Sequence, residues 1–181
     1  MKTSYCAIPD IILLEPTIVN DERGHLFESF NQKVLEGVLG RSVNFVQENQ
    51  SQSVKNVLRG MHYQIKRPQA KLVRVVSGAV FDVAVDMRSS SPTFGKWVGE
   101  VLSEKNNFQM WIPEGFAHGF LVLTQSAQLL YKMTEYWWPD LGRSVRWDDP
   151  DVAIDWPVNG IDPVLSPKDA RAGTFTSADP F

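Results

Sequence analysis

The sequence predicts an all-β fold, a β-sandwich or barrel with a few short helices, on three observations. Short stretches rich in β-branched and aromatic residues recur along the chain. Turn signals punctuate them at close intervals, as at Asn20-Asp21, Ser77-Gly78, Ser91-Pro92 and Pro113-Glu114-Gly115. Only one stretch carries helical spacing. With 181 residues, 43% hydrophobic and 22% charged, the chain is long enough to bury a substantial core and reads as one domain over 1–181.

Near the N-terminus, Cys6 is the single cysteine and stands in the apolar-leaning Tyr5-Cys6-Ala7-Ile8. It has no CxxC partner and no partner for an intramolecular disulfide, so it reads as a packed thiol rather than a nucleophile. Asn31 to Leu39 reads as a short helix, with Val34, Leu35 and Val38 on one side. The clearest local pattern is Lys71 to Val76, a turn at Ser77-Gly78, then Ala79 to Asp86. Taken as a two-residue hairpin, it pairs Val76 with Ala79 and sets Val73 opposite Asp82 and Lys71 opposite Ala84. Lys71 and Asp82 then share a face with Val75, Val80 and Ala84. Charge among apolar side chains fits either the wet outer face of an edge hairpin or the lined interior of a barrel that holds a ligand.

After Trp138-Pro139-Asp140 the chain turns rich in Trp, Asp and Pro, as in Trp147-Asp148-Asp149-Pro150 and Asp155-Trp156-Pro157. The segment from about 140 to 181 is expected to be ordered, irregular coil lying over the barrel. From Arg171 onward little is expected to hold it down, and mobility follows.

A formal charge of −3 argues against a general nucleic-acid binder, whose basic footprint usually shows in the totals. No hydrophobic run is long enough to span a bilayer and no signal-peptide pattern opens the chain, so a cytoplasmic location and no membrane partner are expected.

Three histidines, His25, His62 and His118, are candidates for chemistry. No His-x-His occurs, and His25 lies in the turn-like Asp21-Glu22-Arg23-Gly24-His25, so a three-histidine metal site is poorly supported. His62 sits in Leu58-Arg59-Gly60-Met61-His62-Tyr63-Gln64. Plain alternation puts Arg59 and His62 on opposite faces, so both reach one ligand only if Gly60 makes a bulge or bend. His118 enters a strand directly after the turn in Pro113-Glu114-Gly115-Phe116-Ala117-His118. For either histidine, a satisfied core role is the alternative.

Further stretches extend the pattern: Asp21 to Gly24 leading to Phe27-Glu28-Ser29-Phe30, then Phe45 to Asn49 with Ser51 and Ser53. Later come Phe81 to Arg88, Ser91 to Gly95, Trp111 to Phe120, Tyr131-Lys132, Trp147 to Pro150 and Leu165 to Asp169. Together with the His62 segment and Lys71-Leu72-Val73-Arg74, they make the chain similar, along nearly its whole length, to the dTDP-4-dehydrorhamnose 3,5-epimerases. That resemblance implies a cupin-type jelly roll, a homodimer, no metal, no cofactor and a nucleotide-sugar substrate. It implies His62 as general base oriented by Asp169, and Tyr131 as general acid on the other side of the sugar ring. Arg59, Lys71, His118, Gln47, Asn49 and Lys168 match substrate-contacting positions. Arg23 and Glu28 match residues that help hold the nucleotide, and Trp137 matches an aromatic set against the base, with Tyr136 and Trp138 as flanking packing residues.

The residue types suit epimerisation beside a ketone. Such a C–H is a very weak acid, so its removal needs a base near the working pH and charge stabilisation where the enolate forms. A histidine paired with a carboxylate meets the first need and a cation such as Lys71 the second. Inversion requires the proton to return on the opposite face, which a phenol such as Tyr131 can supply; by itself Tyr131 would read as a core aromatic. Arg59 and Arg23 suit a diphosphate because guanidinium grips it in bidentate fashion.

One position departs from the family's usual pattern: Gly142, followed by Arg143, stands where a Glu is usual, which bears on nucleotide contact; Asp140 is the nearby substitute. Three alternatives are a C3-only epimerase of another nucleotide-linked 4-keto deoxysugar, a non-catalytic sugar-binding jelly roll, and a metal-dependent cupin oxygenase.

Overall fold

A computed structural model describes residues 1–158 and 160–181. Two antiparallel sheets lie face to face. One has six strands in the order β1 (Lys2–Tyr5), β2 (Ile12–Glu15), β10 (Gln109–Ile112), β7 (Lys71–Ser77), β12 (Ser126–Met133), β5 (Gln47–Val54). The other has five: β13 (Gly142–Ser144), β6 (Leu58–Gln64), β11 (Phe116–Val122), β8 (Ala79–Asp86), β9 (Trp97–Ser103). A separate hairpin joins β3 (Val19–Asp21) to β4 (Gly24–Leu26). This is the expected all-β jelly roll.

Three apolar layers explain the burial pattern. Val73, Val75, Val80, Ala84, Phe116, Phe120 and Leu129 pack between the sheets. Leu58, Tyr63, Val83, Val85, Leu121, Val145 and Trp156 pack between the outer face of the five-stranded sheet and the C-terminal segment. β11 lies between these two layers and is buried at every residue, which is why it reads as a continuous apolar run. The third layer joins Leu35 of α1 (Gln32–Leu39) to Ile12, Leu72 and Trp111 on the outer face of the six-stranded sheet. Asn31 caps this helix, its side chain accepting from Val34 N–H, and Gly40 ends it in the left-handed region at φ 65°.

The expected hairpin of Lys71–Val76 with Ala79–Asp86 does not form. β7 pairs with β10 and β12, whereas β8 pairs with β11 and β9. The turn at Ser77-Gly78 carries the chain from one sheet to the other. Nearly every position of both strands is covered, which two packed sheets satisfy and a lone hairpin cannot. Gly78, at φ 76°, is enclosed: a Cβ there would lie 2.1 Å from the Ser126 carbonyl oxygen. Lys71 and Asp82 therefore share the interior from opposite sheets, which selects the barrel-interior alternative.

The expected mobility after Arg171 is also overturned. Phe181 N–H donates to the Met87 carbonyl at 2.9 Å, and Ser89 N–H donates to the Phe181 carbonyl at 2.9 Å. Tyr63 Oη donates to the Asp179 carbonyl, Arg143 pairs with the Asp179 carboxylate at 2.7 Å, and the Phe181 ring packs edge-on against Tyr63. Main-chain pairing and one terminal aromatic hold a stretch whose Thr, Ser and Pro content gives no sign of it.

Candidate active site

A cavity of about 310 Å³ opens between the sheets, with His62, Lys71, Asn49, Tyr131, Trp137 and Lys168 in its wall. A recess of about 100 Å³ adjoins it, sharing His62, Lys71 and Tyr131 and adding Ser51, Arg59 and His118. His62 comes from β6 and Tyr131 from β12, so imidazole and phenol reach one space from opposite sheets.

The bulge required of Gly60 is present. His62 stands opposite His118, and the register then slips so that Arg59 stands opposite Phe120. Gly60 and Met61 thus oppose Gly119 alone, which turns Arg59 and His62 to one face. Both glycines are needed: a Cβ on Gly60 would meet Gly119 Cα at 2.7 Å, and one on Gly119 would meet the Arg59 carbonyl oxygen at 2.7 Å. Arg59 is steadied by Nε donating to Ser53 Oγ at 3.0 Å.

His62 Nε2 lies 2.6 Å from Oδ1 of Asp169, a buried carboxylate on the 3-10 turn Asp169–Arg171. Burial pushes the Asp169 carboxyl up, but the hydrogen bonds and charge of His62, with Ser166 and Lys168, outweigh it and hold it below the usual carboxylate range. The imidazole is about one-third exposed, and its contact with the carboxylate is made through Nε2.

A buried charge cluster that sequence reasoning only half found lies beside it. Asp82, fully buried, puts both carboxylate oxygens 3.0 Å from Nε2 of His118. Burial pushes the His118 imidazolium pKa down, and the nearby Lys71 and His62 add to this against the pull of Asp82. Burial likewise pushes the Lys71 ammonium down to about 8, with Asp82 the charge that resists. Pattern had placed Lys71 and Asp82 on one face without giving Asp82 a role.

Across the cavity, a chain of side chains sets Tyr131. Asn49 Nδ2 donates to Tyr131 Oη at 3.3 Å, Gln47 Nε2 donates to Asn49 Oδ1 at 3.0 Å, and Gln47 Oε1 accepts from Trp137 N–H at 2.9 Å. Gln64 and Gln69, missed in the sequence, fasten the same loop. Gln64 donates to the Tyr136 carbonyl and accepts from Trp138 N–H, and Gln69 donates to the Glu135 carbonyl. Gln64 ends strand β6 and Gln69 lies just before β7, and both are buried. The loop holds Trp137 at the cavity, with Lys168 Nζ 5.4 Å from its ring centre. Tyr136 and Trp138, expected to be packed, are 54% and 41% exposed, and Arg67 stacks on Trp138. Ser51 Oγ is buried and makes no hydrogen bond among the described residues, leaving it free for a ligand in the recess.

Arg23 and Glu28 are not brought to this cavity within the chain. Arg23 is exposed on the β3–β4 hairpin and pairs with Asp21, and Glu28 accepts from Asn31 Nδ2. His25 is exposed on the same hairpin and stacks on Phe27. Among the described residues no three His, Cys, Asp or Glu side chains converge as a metal would need, and no helix is long and apolar enough to cross a membrane. The half-buried Cys6 thiol is pushed up to about 11 by burial and by Glu100, which leaves it protonated.

Residues 5–177 match the family model described as dTDP-4-dehydrorhamnose 3,5-epimerase. A Pseudomonas aeruginosa protein of that name is 54% identical over 181 residues, covering 100% of this chain and 99% of its own. A Shigella flexneri protein of the same name is 54% identical over 182 residues, covering 100% and 99%. The crystal structure of a Legionella pneumophila dTDP-6-deoxy-D-glucose-3,5-epimerase in complex with dTDP-4-keto-L-rhamnose superposes with a TM-score of 0.95. It is 50% identical, over 98% of this chain and 94% of that one.

Proposed function

The chain belongs to the dTDP-4-dehydrorhamnose 3,5-epimerase family, and from that premise we propose how its cavity works. The protein inverts C3 and C5 of dTDP-4-dehydro-6-deoxy-D-glucose to give dTDP-4-dehydro-L-rhamnose. His62 removes the proton beside the C4 ketone, and Asp169 orients the imidazole and stabilises the imidazolium it becomes. Lys71 offers its ammonium to the oxygen that gains charge, in a site dry enough for that charge to matter. Tyr131 returns a proton on the other face of the ring, and solvent then takes the proton from His62 and restores the phenol. The observation that carries this reading is that His62 and Tyr131 enter one cavity from opposite sheets, with buried Lys71 in the same wall. No metal or cofactor takes part in these steps.

Arg59 holds the diphosphate, Gln47, Asn49, His118 and Lys168 contact the sugar and its phosphates, and Trp137 receives the base. Arg23 and Glu28, remote from their own cavity, serve the nucleotide in a homodimer, where the exposed β3–β4 hairpin of one copy reaches the cavity of the other. The enzyme works in the cytoplasm.

Proton NMR of the dTDP-4-keto sugar in deuterated water, with this protein after treatment with a chelator, tests the proposal. Solvent deuterium is expected at both C3 and C5 of an L-configured product. Label at C3 alone would establish the C3-only epimerase, and no label a binding module.

A further inference from the structure

Gly142 is a glycine that its own backbone does not require. Its φ of −68° and ψ of 135° are open to any residue, and it lies in the short strand β13 paired with Gln64. What the missing side chain provides is room. A Cβ at 142 would lie 2.5 Å from Cη2 and 3.0 Å from Cζ3 of Trp137, the far edge of the indole. The indole is 44% exposed with Lys168 over its ring, so a Cβ at 142 would push it outward from its present seat.

We propose that Gly142 and Trp137 act as one specificity-determining pair, in which the bare backbone at 142 seats the indole so that it presents a fixed platform to the nucleobase. The inference rests on the assignment of Trp137 to the base in the proposed function. Because residue 142 offers no side chain to the ligand, this end of the site holds a base by ring contact with position 137. A side chain at 142 displaces the platform and leaves the reacting groups at His62, Lys71 and Tyr131 where they are.

A double-mutant cycle tests the pair, read by calorimetric dTDP affinity and by KM and kcat for the dTDP-4-keto sugar. Gly142→Ala is expected to raise the dTDP Kd and the KM about tenfold, with kcat changed less than about threefold. In a Trp137→Phe background, whose shorter ring ends clear of residue 142, adding Gly142→Ala is expected to change the Kd less than about twofold. Equal losses in the two backgrounds, or none in the Trp137 protein, would overturn the pairing. Should Gly142→Ala alone fail to fold, the double variant decides: affinity equal to Trp137→Phe supports the pair, and a further tenfold loss refutes it. Failure of the unmodified protein to exchange substrate protons would instead sink the proposed function, a result the cycle does not share.

Discussion

Nε2 of His62 and Oδ1 of Asp169 stand 2.6 Å apart although 107 residues separate them in the chain. The contact ties a strand of the five-stranded sheet to the C-terminal segment, so the proposed base depends on both. Replacing His62 by Ala removes the base, and exchange of the substrate's C3 proton with deuterated solvent should fall by about 10³-fold or more. Asp169→Asn keeps the shape but cannot stabilise an imidazolium, and should cost about 10²-fold in kcat with the fold intact by circular dichroism. Wild-type exchange in His62→Ala would exclude this histidine as the base.

In the proposed mechanism Tyr131 acts on the return of the proton, so its loss should separate two readouts. Tyr131→Phe is expected to retain measurable deuterium exchange while formation of the inverted sugar drops by about 10²-fold or more. If exchange and inversion fall together by the same factor, the phenol is not the acid.

Lys71 should give the activity an alkaline limit. Its ammonium pKa, lowered from the ordinary 10.5 to about 8, means the charge is present below that pH and is lost as pH rises through it. The value of kcat/KM, which reports groups of the free enzyme, is therefore expected to decline above about pH 8. Between about 8 and 10.5 the unfolded chain binds a proton at this residue that the folded chain does not, so this group makes stability rise with pH there. Lys71→Met should lower kcat by about 10²-fold and remove that contribution. Asp82→Asn, by withdrawing the charge that resists the shift, should move the alkaline limit to lower pH, and an unmoved limit would assign it to another group.

The bulge at Gly60 and Gly119 makes a stability prediction. Gly119→Ala puts a methyl within 2.6–2.9 Å of Met61 Sδ, the Arg59 carbonyl and Gly60 Cα, and overpacking of that kind costs about 1–3 kcal/mol. In contrast, Gly37 lies in α1 with nothing within 4 Å of its would-be Cβ, and Gly37→Ala should stabilise by about 0.5–1 kcal/mol. Thermal denaturation compares the two, and a lower Tm for Gly37→Ala than for Gly119→Ala would contradict the steric account.

Much of this was legible along the chain because local pattern carries it. The helix at Asn31 to Leu39 announces itself by three spaced apolar residues, and the bulge follows once Arg59 and His62 are required on one face. The partners of β7 and β8 were not legible, since alternation at Val73, Val75, Val80 and Ala84 is the same whether strands pair side by side or face each other across a core. Asp82 shows the same limit: its place inside could be read, but its contact with His118 depends on the register of β8 against β11. Gln64 and Gln69 look like ordinary polar residues at strand ends and in connections until the loop they hold is seen. Arg23 and Glu28 match motif positions, yet motif carries no statement of which cavity a residue faces.

Because the imidazole and the phenol are donated by different sheets, the proposed catalytic centre has no existence in either half alone. A refolding chain can complete strand pairing within each sheet and still have nothing with which to invert a sugar. Recovery of turnover after dilution from denaturant should accordingly trail the far-ultraviolet signal of strand formation, and keep pace with the near-ultraviolet signal that marks the two layers closing on one another.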